Sequence, residues 1–139
     1  MALNHKYTLV CDEVRQENNG KFIVIGVYTP GIVLPRFPTG LPKLTFFNCF
    51  EPSENGAWDL GFQLRHVDTG AIVGPDGRIK IEIQIKAETG GIPQSYVPIT
   101  IPNIQFQMPG MYAFTLNGAN FEGVTVAFPV TQQSTTRVH

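Results

Sequence analysis

The chain has 139 residues, enough for one domain that buries most of the surface its unfolded form exposes. Hydrophobic residues make up 42% of it, which excludes a disordered chain, and charged residues only 15%, against about 25% in an average soluble domain. A net charge of −1 with both signs scattered excludes an electrostatic surface for nucleic acid or an acidic membrane, and no apolar run approaches the roughly 20 residues of a spanning helix.

Short apolar or alternating stretches, separated by turn residues, follow one another along the whole chain, and none has a convincing helical period. The first hairpin is predicted from Tyr7 to Tyr28, with Asn19-Gly20 in a type I′ turn. The proline-rich segment 30–42 is predicted to cross without pairing, because proline donates no hydrogen bond to a ladder. The next predicted strand is Leu44–Phe50.

Strict alternation of apolar and polar residues predicts two half-buried strands, Trp58–Leu64 and Ile79–Lys86, with a short strand at 71–73 between them. Further on, the alternating apolar residues stand at odd-numbered positions before Pro102-Asn103 and at even-numbered positions after it. This change predicts a bulge or a switch between sheets.

The strands Met111–Asn117 and Val124–Val130 complete the pattern. The fold class is therefore predicted as an all-β, antiparallel two-sheet β-sandwich preceded by an N-terminal β-hairpin. It forms a single domain over residues 1–130, followed by a polar tail over residues 131–139.

Two landmarks favour an immunoglobulin-like topology. Trp58 begins the strand that follows the Cys49 strand, and the segment Pro109–Phe114 is similar to the tyrosine corner of such domains. Phe114 stands where those domains carry their second cysteine. Cys11 and Cys49 are expected to be buried free thiols, because the N-terminus lacks a secretory signal and cytosolic thiols stay reduced. The expected location is the cytoplasm, with a virion as the alternative.

Two strands near the amino end are apolar on both faces, as in strands that are covered on both sides; these doubly apolar segments are Phe22–Tyr28 and Leu44–Phe50. In an immunoglobulin-like fold they share one sheet, so its outer face needs a cover. Three covers are open: another part of the chain, a symmetry-related copy, or a different protein. The prediction is a cover by another chain, in a homo-oligomer or a larger assembly. The candidate protein-interface residues are Phe22, Val24, Tyr28, Phe46 and Phe47.

A second candidate surface is polar. Charged residues crowd the first hairpin, and ion pairing across its strands is the simplest explanation. A polar recognition surface is the alternative. Its residues are Asp12, Arg15, Glu17 and Lys21, with Glu13 among them.

No catalytic residue, metal site or cofactor is predicted. The histidines lack the spacing of zinc ligands, and His66 with Asp68 is explained as a hydrogen-bonded pair at a strand end. Both cysteines lie inside strands, where a thiol is inert. The chain has neither a nucleophile elbow nor a P-loop.

The first hairpin also carries a resemblance to a known family. Segments 9–15, 17–21 and 25–28 contain a Cys-Asp-acid-apolar-Arg sequence, an Asn-Gly-Lys turn and Ile-Gly-Val-Tyr. They resemble the opening of a family of small uncharacterised bacterial and phage proteins, whose closing strand is similar to Pro109–Phe114. The resemblance implies an intracellular prokaryotic or phage origin and a single sandwich, and it implies no activity.

The leading hypothesis is a non-enzymatic protein-interaction module that binds itself or a partner through an apolar sheet face. One alternative is a virion or phage-type structural protein. Another is a sandwich that binds a small ligand or carbohydrate near Trp58 or in its loops.

Overall fold

A computed structural model describes residues 2–85 and 94–134 of the chain. Within these residues the chain forms nine strands and no helix. In chain order they are β1 Leu3–Gln16, β2 Phe22–Val27, β3 Ile32–Leu34, β4 Thr39–Pro52, β5 Gly56–His66, β6 Gly77–Ile83, β7 Ser95–Phe106, β8 Gly110–Gly118 and β9 Val124–Gln132.

The strands form two sheets, which confirms the all-β class. One sheet has four strands in the order β2-β1-β4-β7, and the other has five in the order β3-β9-β8-β5-β6. Neighbouring strands are antiparallel except β3 and β9, which run parallel. The two doubly apolar segments lie in the same sheet, as expected. The N-terminal hairpin does not merely precede the sheets, because its first strand pairs with β4 and its second forms the sheet edge.

The core lies between the two sheets. Phe46 of β4 stacks on Phe114 of β8 with ring centroids 3.9 Å apart. The alternation predicted for β5 is confirmed, since Trp58, Leu60 and Leu64 are buried in this core and the half-buried Phe62 packs against it. No helix within the described residues is long and apolar enough to cross a membrane.

The proline-rich segment pairs more than expected. Ile32–Leu34 forms a parallel ladder with β9, and β4 begins already at Thr39. The prediction of an unpaired crossover was wrong because Pro30 and Pro35 flank the pairing residues and remove none of their amides.

Other boundaries also shift. The last strand ends at Gln132, so the first two residues of the expected tail belong to the sheet. The short strand at 71–73 is reduced to a single bridge between Arg65 and Ile72. Residues 86–93, with the end of the predicted strand Ile79–Lys86, and residues 135–139 lie outside the described residues.

Strand β7 stays in one sheet, so a switch between sheets at Pro102-Asn103 was wrong. Asn103 has a φ of 51°. Before it the buried residues stand at odd-numbered positions, ending with Ile101, and after it they stand at even-numbered positions, beginning with Ile104. The ladder places Asn103 opposite Pro42 of β4, between the pairs Lys43–Pro102 and Leu41–Ile104. One left-handed residue therefore reverses which side chains face the core.

Candidate interaction surface

The tip of the β1–β2 hairpin turns through a single left-handed residue. The amide of Gly20, with φ 85°, donates to the Glu17 carbonyl at 3.0 Å, and the Glu17 amide donates to the Lys21 carbonyl at 2.7 Å. A type I′ turn requires positive φ at both central residues, and Asn19 is not in that region. The predicted type I′ turn was therefore wrong. The loop is one residue longer, with Gly20 in the position of a G1 bulge.

Three residues of the segments that carry the family resemblance contact one another across this hairpin. The Tyr28 hydroxyl donates a hydrogen bond to the Asp12 carboxylate. Gly26, with φ 69°, faces the same carboxylate, and a Cβ there would overlap it. Burial and then Asp12 raise the pKa of the Tyr28 hydroxyl above its ordinary value. Tyr28 and Asp12, predicted for two separate surfaces, thus form one cross-strand contact.

The charges of the hairpin centre on Glu13. Its carboxylate lies 2.7 Å from Lys43 Nζ and 3.2 Å from Arg15 Nη2. The hydrogen bond from Lys43 lowers the pKa of Glu13, with Arg15 adding to the effect. Lys43 lies thirty residues from Glu13 along the chain, so no local pattern indicates this pair. Arg15 and Glu17 are exposed, and nothing in these contacts goes beyond ion pairing at a hairpin.

The hairpin tip also covers part of the outer face of the four-stranded sheet. Phe47 points away from the core because Phe46 points into it. Its ring lies 5.3 Å from that of Phe22 and 5.5 Å from that of Tyr96, onto which it stacks. Phe22 and Tyr96 are 5.6 Å apart, which closes a triangle of aromatic rings. Tyr96 was missed by sequence reasoning, because it lies at the start of β7 beside a segment that reads as a loop.

An apolar groove of about 400 Å³ remains beside these rings. We call it the aromatic groove. Three of the five predicted interface residues line it, together with Lys21 from the predicted polar surface. Its lining residues are Gly20, Lys21, Phe22, Val24, Phe47 and Tyr96.

Two predicted interface residues offer no surface to another chain. Phe46 is 0% exposed and lies between the sheets, so its assignment to an interface is corrected. Phe47 is 4% exposed because the hairpin of the same chain covers it. The cover predicted to come from another chain is, at Phe47, intramolecular. The reason is that a long hairpin carries its own apolar side chains back over the sheet.

The outward side of β2 is where apolar surface stays open. Ile23, Ile25 and Val27 are 41%, 39% and 41% exposed. They alternate along the strand with Phe22 and Val24, which face the aromatic groove. Strand β2 is also an edge of its sheet. We call the row Ile23, Ile25 and Val27 the β2 row.

The residues with chemical potential are engaged in structure. His66 is buried, its Nε2 lies 3.2 Å from the Pro109 carbonyl, and its Nδ1 lies 2.9 Å from Thr69 Oγ1. The side-chain partner of His66 is therefore Thr69, whereas the sequence analysis predicted Asp68. A Cβ on Gly110 would come within 2.6 Å of Nε2, so the glycine makes room for the ring. Among the described residues no group of three or more His, Cys, Asp or Glu side chains could hold a metal ion.

Both cysteines are buried, as predicted. Cys49 lies opposite Tyr7 and Cys11 opposite Thr45, four residue steps apart along the same ladder. That separation is about 13 Å, whereas a disulfide joins Cα atoms less than about 7 Å apart. Burial, followed by the nearby Asp12 charge, raises the pKa of the Cys11 thiol, which disfavours the reactive thiolate.

A buried polar chain near the start of β1 was not anticipated. Asn48 is fully buried and donates from Nδ2 to the carbonyls of Phe46 at 3.0 Å and Val97 at 3.1 Å. Its Oδ1 accepts from the Thr8 hydroxyl at 2.6 Å, and that hydroxyl contacts His5 Nε2 at 2.7 Å. Burial lowers the pKa of His5. These bonds satisfy a polar side chain that would otherwise be costly inside the sheet.

Trp58 belongs to the core and not to a ligand site. It is 6% exposed, and its indole Nε1 donates to the Asn120 carbonyl at 3.2 Å. Carbohydrate binding by stacking on Trp58 therefore has no accessible ring.

Comparison with known proteins gives one sequence family and a fold. A family model described as a family of unknown function matches residues 6–131. No curated protein matches the chain. Among solved structures, the chain is similar to a β-glucosidase from Listeria innocua in complex with isofagomine, with 10% identity and a TM-score of 0.50. The match covers 93% of this chain but only 16% of that chain, so it shows a shared fold alone.

Proposed function

The chain belongs to this family, DUF6941, and we propose that within it the protein is a non-enzymatic interaction module that self-associates through strand β2. The observation that carries the proposal is the β2 row, three aliphatic side chains about 40% exposed on an edge strand. An edge strand presents unpaired amides and carbonyls that another strand can pair with. Exposed apolar side chains on it favour such pairing.

The other three edges of the described sheets carry protection against pairing. Strand β7 contains Pro98 and Pro102, and β3 is only three residues long. Strand β6 carries Arg78, Lys80 and Glu82 on its outward side. These are the devices by which proteins block edge-to-edge association. The sequence of β2, Phe-Ile-Val-Ile-Gly-Val, contains no charge and no proline.

A second copy of the chain is the partner we propose. An antiparallel pairing of two β2 strands about a two-fold axis at Ile25 sets Ile25 against its own copy and Ile23 against Val27. Apolar side chains then meet apolar side chains along the whole row. The aromatic groove adjoins the same strand and offers an apolar recess to a side chain of the partner.

We also propose that the sandwich is immunoglobulin-like. The order β1-β4-β7 corresponds to strands A, B and E of that fold, and β9-β8-β5-β6 to strands G, F, C and C′. The Tyr112 hydroxyl donates to the Met108 carbonyl at 2.6 Å, which is the hydrogen bond of a tyrosine corner. Strand β2 is then an addition beside strand A, and it supplies the proposed interface.

Two further parts of the proposal rest on separate observations. A non-enzymatic role is supported by His66 and the two thiols, which are buried in structural contacts. A cytoplasmic location is supported by unpaired thiols, which persist in a reducing compartment. The alternative is a virion-type structural protein in which the same strand joins many copies.

Light scattering coupled to size exclusion tests the proposal on the full chain. We expect a discrete dimer at high micromolar concentration, and a monomer for Ile25→Lys, because a charge on an edge strand blocks pairing. Ile72→Lys is the matched control, since Ile72 is 56% exposed and lies outside β2. It should remain dimeric, and far-UV circular dichroism should match for all three proteins.

A wild-type chain that stays monomeric at that concentration would contradict self-association. A dimer that persists in Ile25→Lys but not in Ile72→Lys would move the interface away from β2. Large particles of regular size that disappear with Ile25→Lys would favour the virion-type alternative.

A further inference from the structure

The outer face of the five-stranded sheet has a gap in its row of side chains. Gly61 of β5 lies opposite Arg78 of β6 on one side and Asn117 of β8 on the other. The side chains of a cross-strand row point to the same face. The missing side chain at Gly61 therefore leaves an open space between a guanidinium and an amide. This space is a shallow trough of about 420 Å³.

Polar groups surround the trough on several sides. Gln63 and Thr115, which lie opposite each other one row along, line one end, and Asp76 lines it from the loop before β6. The ring of Phe62 adds no apolar wall to this outer face, because it points to the inner face of the sheet and packs 6.5 Å from the ring of Phe114.

Arg78 is held in place before any ligand arrives. Its Nε lies 3.2 Å from Asp59 Oδ1, and its Nη2 donates to the Asp59 carbonyl at 3.3 Å. The remaining nitrogen, Nη1, lies over Gly61, 3.5 Å from where a Cβ would stand. Asp59 therefore engages two of the guanidinium nitrogens outside the trough, and the third lies beside it.

The mixture of groups selects the chemistry of a ligand. A guanidinium only donates hydrogen bonds, a carboxylate only accepts them, and the amides of Gln63 and Asn117 do both. An anion would face Asp76, and a cation would face Arg78. Neighbouring hydroxyl groups, such as those of a neutral sugar ring, satisfy donors and acceptors at once. The volume lies within the usual range for small-molecule sites.

We propose that this trough is a binding site for a neutral saccharide. It is separate from β2 and from Trp58, so it stands whether or not the chain self-associates.

Nuclear magnetic resonance titration of the full ¹⁵N-labelled chain tests the proposal with methyl glycosides of glucose, galactose and mannose. At least one should give saturable shifts at the amides of Gly61, Gln63 and Asn117. Gly61→Val fills the trough and should abolish these shifts. A Cβ at Gly61 meets its neighbours at 3.5 Å or more, and a β-branched residue suits a strand, so this variant should fold with an equal or higher Tm.

Ala127→Val is the matched control. Ala127 is exposed on β9 of the same sheet, outside the trough, and enlarging it should leave the shifts unchanged. Absence of saturable shifts with all three glycosides would overturn the proposal. So would shifts produced only by acetate or by methylammonium, or shifts that persist in Gly61→Val.

Discussion

The outer faces of the two sheets differ in what covers them. On the five-stranded sheet the outward side chains near β5 are polar, and water can remain against them. On the four-stranded sheet the outward Phe47 is covered by Phe22 and Tyr96 of the same chain. The comparison shows that a strand apolar on both faces does not by itself require a partner. The hairpin that covers Phe47 leaves its own outward side, the β2 row, exposed.

The largest effect should come from comparing two adjacent phenylalanines on opposite faces of β4. Phe46→Ala removes a ring enclosed between the sheets and should lower the free energy of unfolding by about 3–5 kcal/mol. Phe47→Ala opens toward the aromatic groove, which water can enter, so it should lose the burial of the ring without an added cavity and cost about 1.5–3 kcal/mol. Urea denaturation measures both. An equal or larger loss for Phe47→Ala would contradict the view that only the inner face is fully enclosed.

A smaller difference in stability is expected between alanine substitutions at two glycines of the hairpin that covers Phe47. Gly20→Ala should cost about 1 kcal/mol for its left-handed backbone alone, since nothing lies near its missing Cβ. Gly26→Ala should cost about 2 kcal/mol, because its Cβ also displaces the Asp12 carboxylate from Tyr28. In an Asp12→Ala background the two costs should become similar. A difference that persists there would place its origin elsewhere.

The smallest effect concerns pH and the polar chain beneath the sheet. The unfolded chain takes up a proton at His5 near its ordinary pKa of about 6.5, and the folded chain does so only at lower pH. Between these values the unfolded state binds more protons, so the free energy of unfolding falls as pH decreases. His5→Gln keeps a polar partner for Thr8 without this titration. Its stability should therefore fall less than that of the wild type between pH 7.5 and pH 5.5, as measured by urea denaturation.

Every other ionisable residue is the same in the two proteins, so the difference isolates His5. Identical loss of stability on acidification would show that the His5 contact does not depend on its charge.

Much of the fold could be predicted because strands are encoded locally. The alternation of Trp58, Leu60 and Leu64 identified β5, and the Pro-Gly-x-Tyr segment identified the start of β8. The candidate site was predicted only in part. Phe22, Val24 and Phe47 do line one groove, but Tyr96 joins them from a strand nearly fifty residues beyond Phe47, and Lys43 reaches Glu13 from a different strand. Contacts of that kind depend on sheet order, which no local pattern contains.

The sequence by itself determined most of the long strands and which of them carry charge or proline, whereas it missed the short strand Ile32–Leu34. The long strands could be determined because the period of two acts within a few residues. Only the tertiary structure decided which face of a doubly apolar strand meets the core. Phe46 and Phe47 are chemically identical, and their different surroundings arise from the second sheet on one side and the returning hairpin on the other.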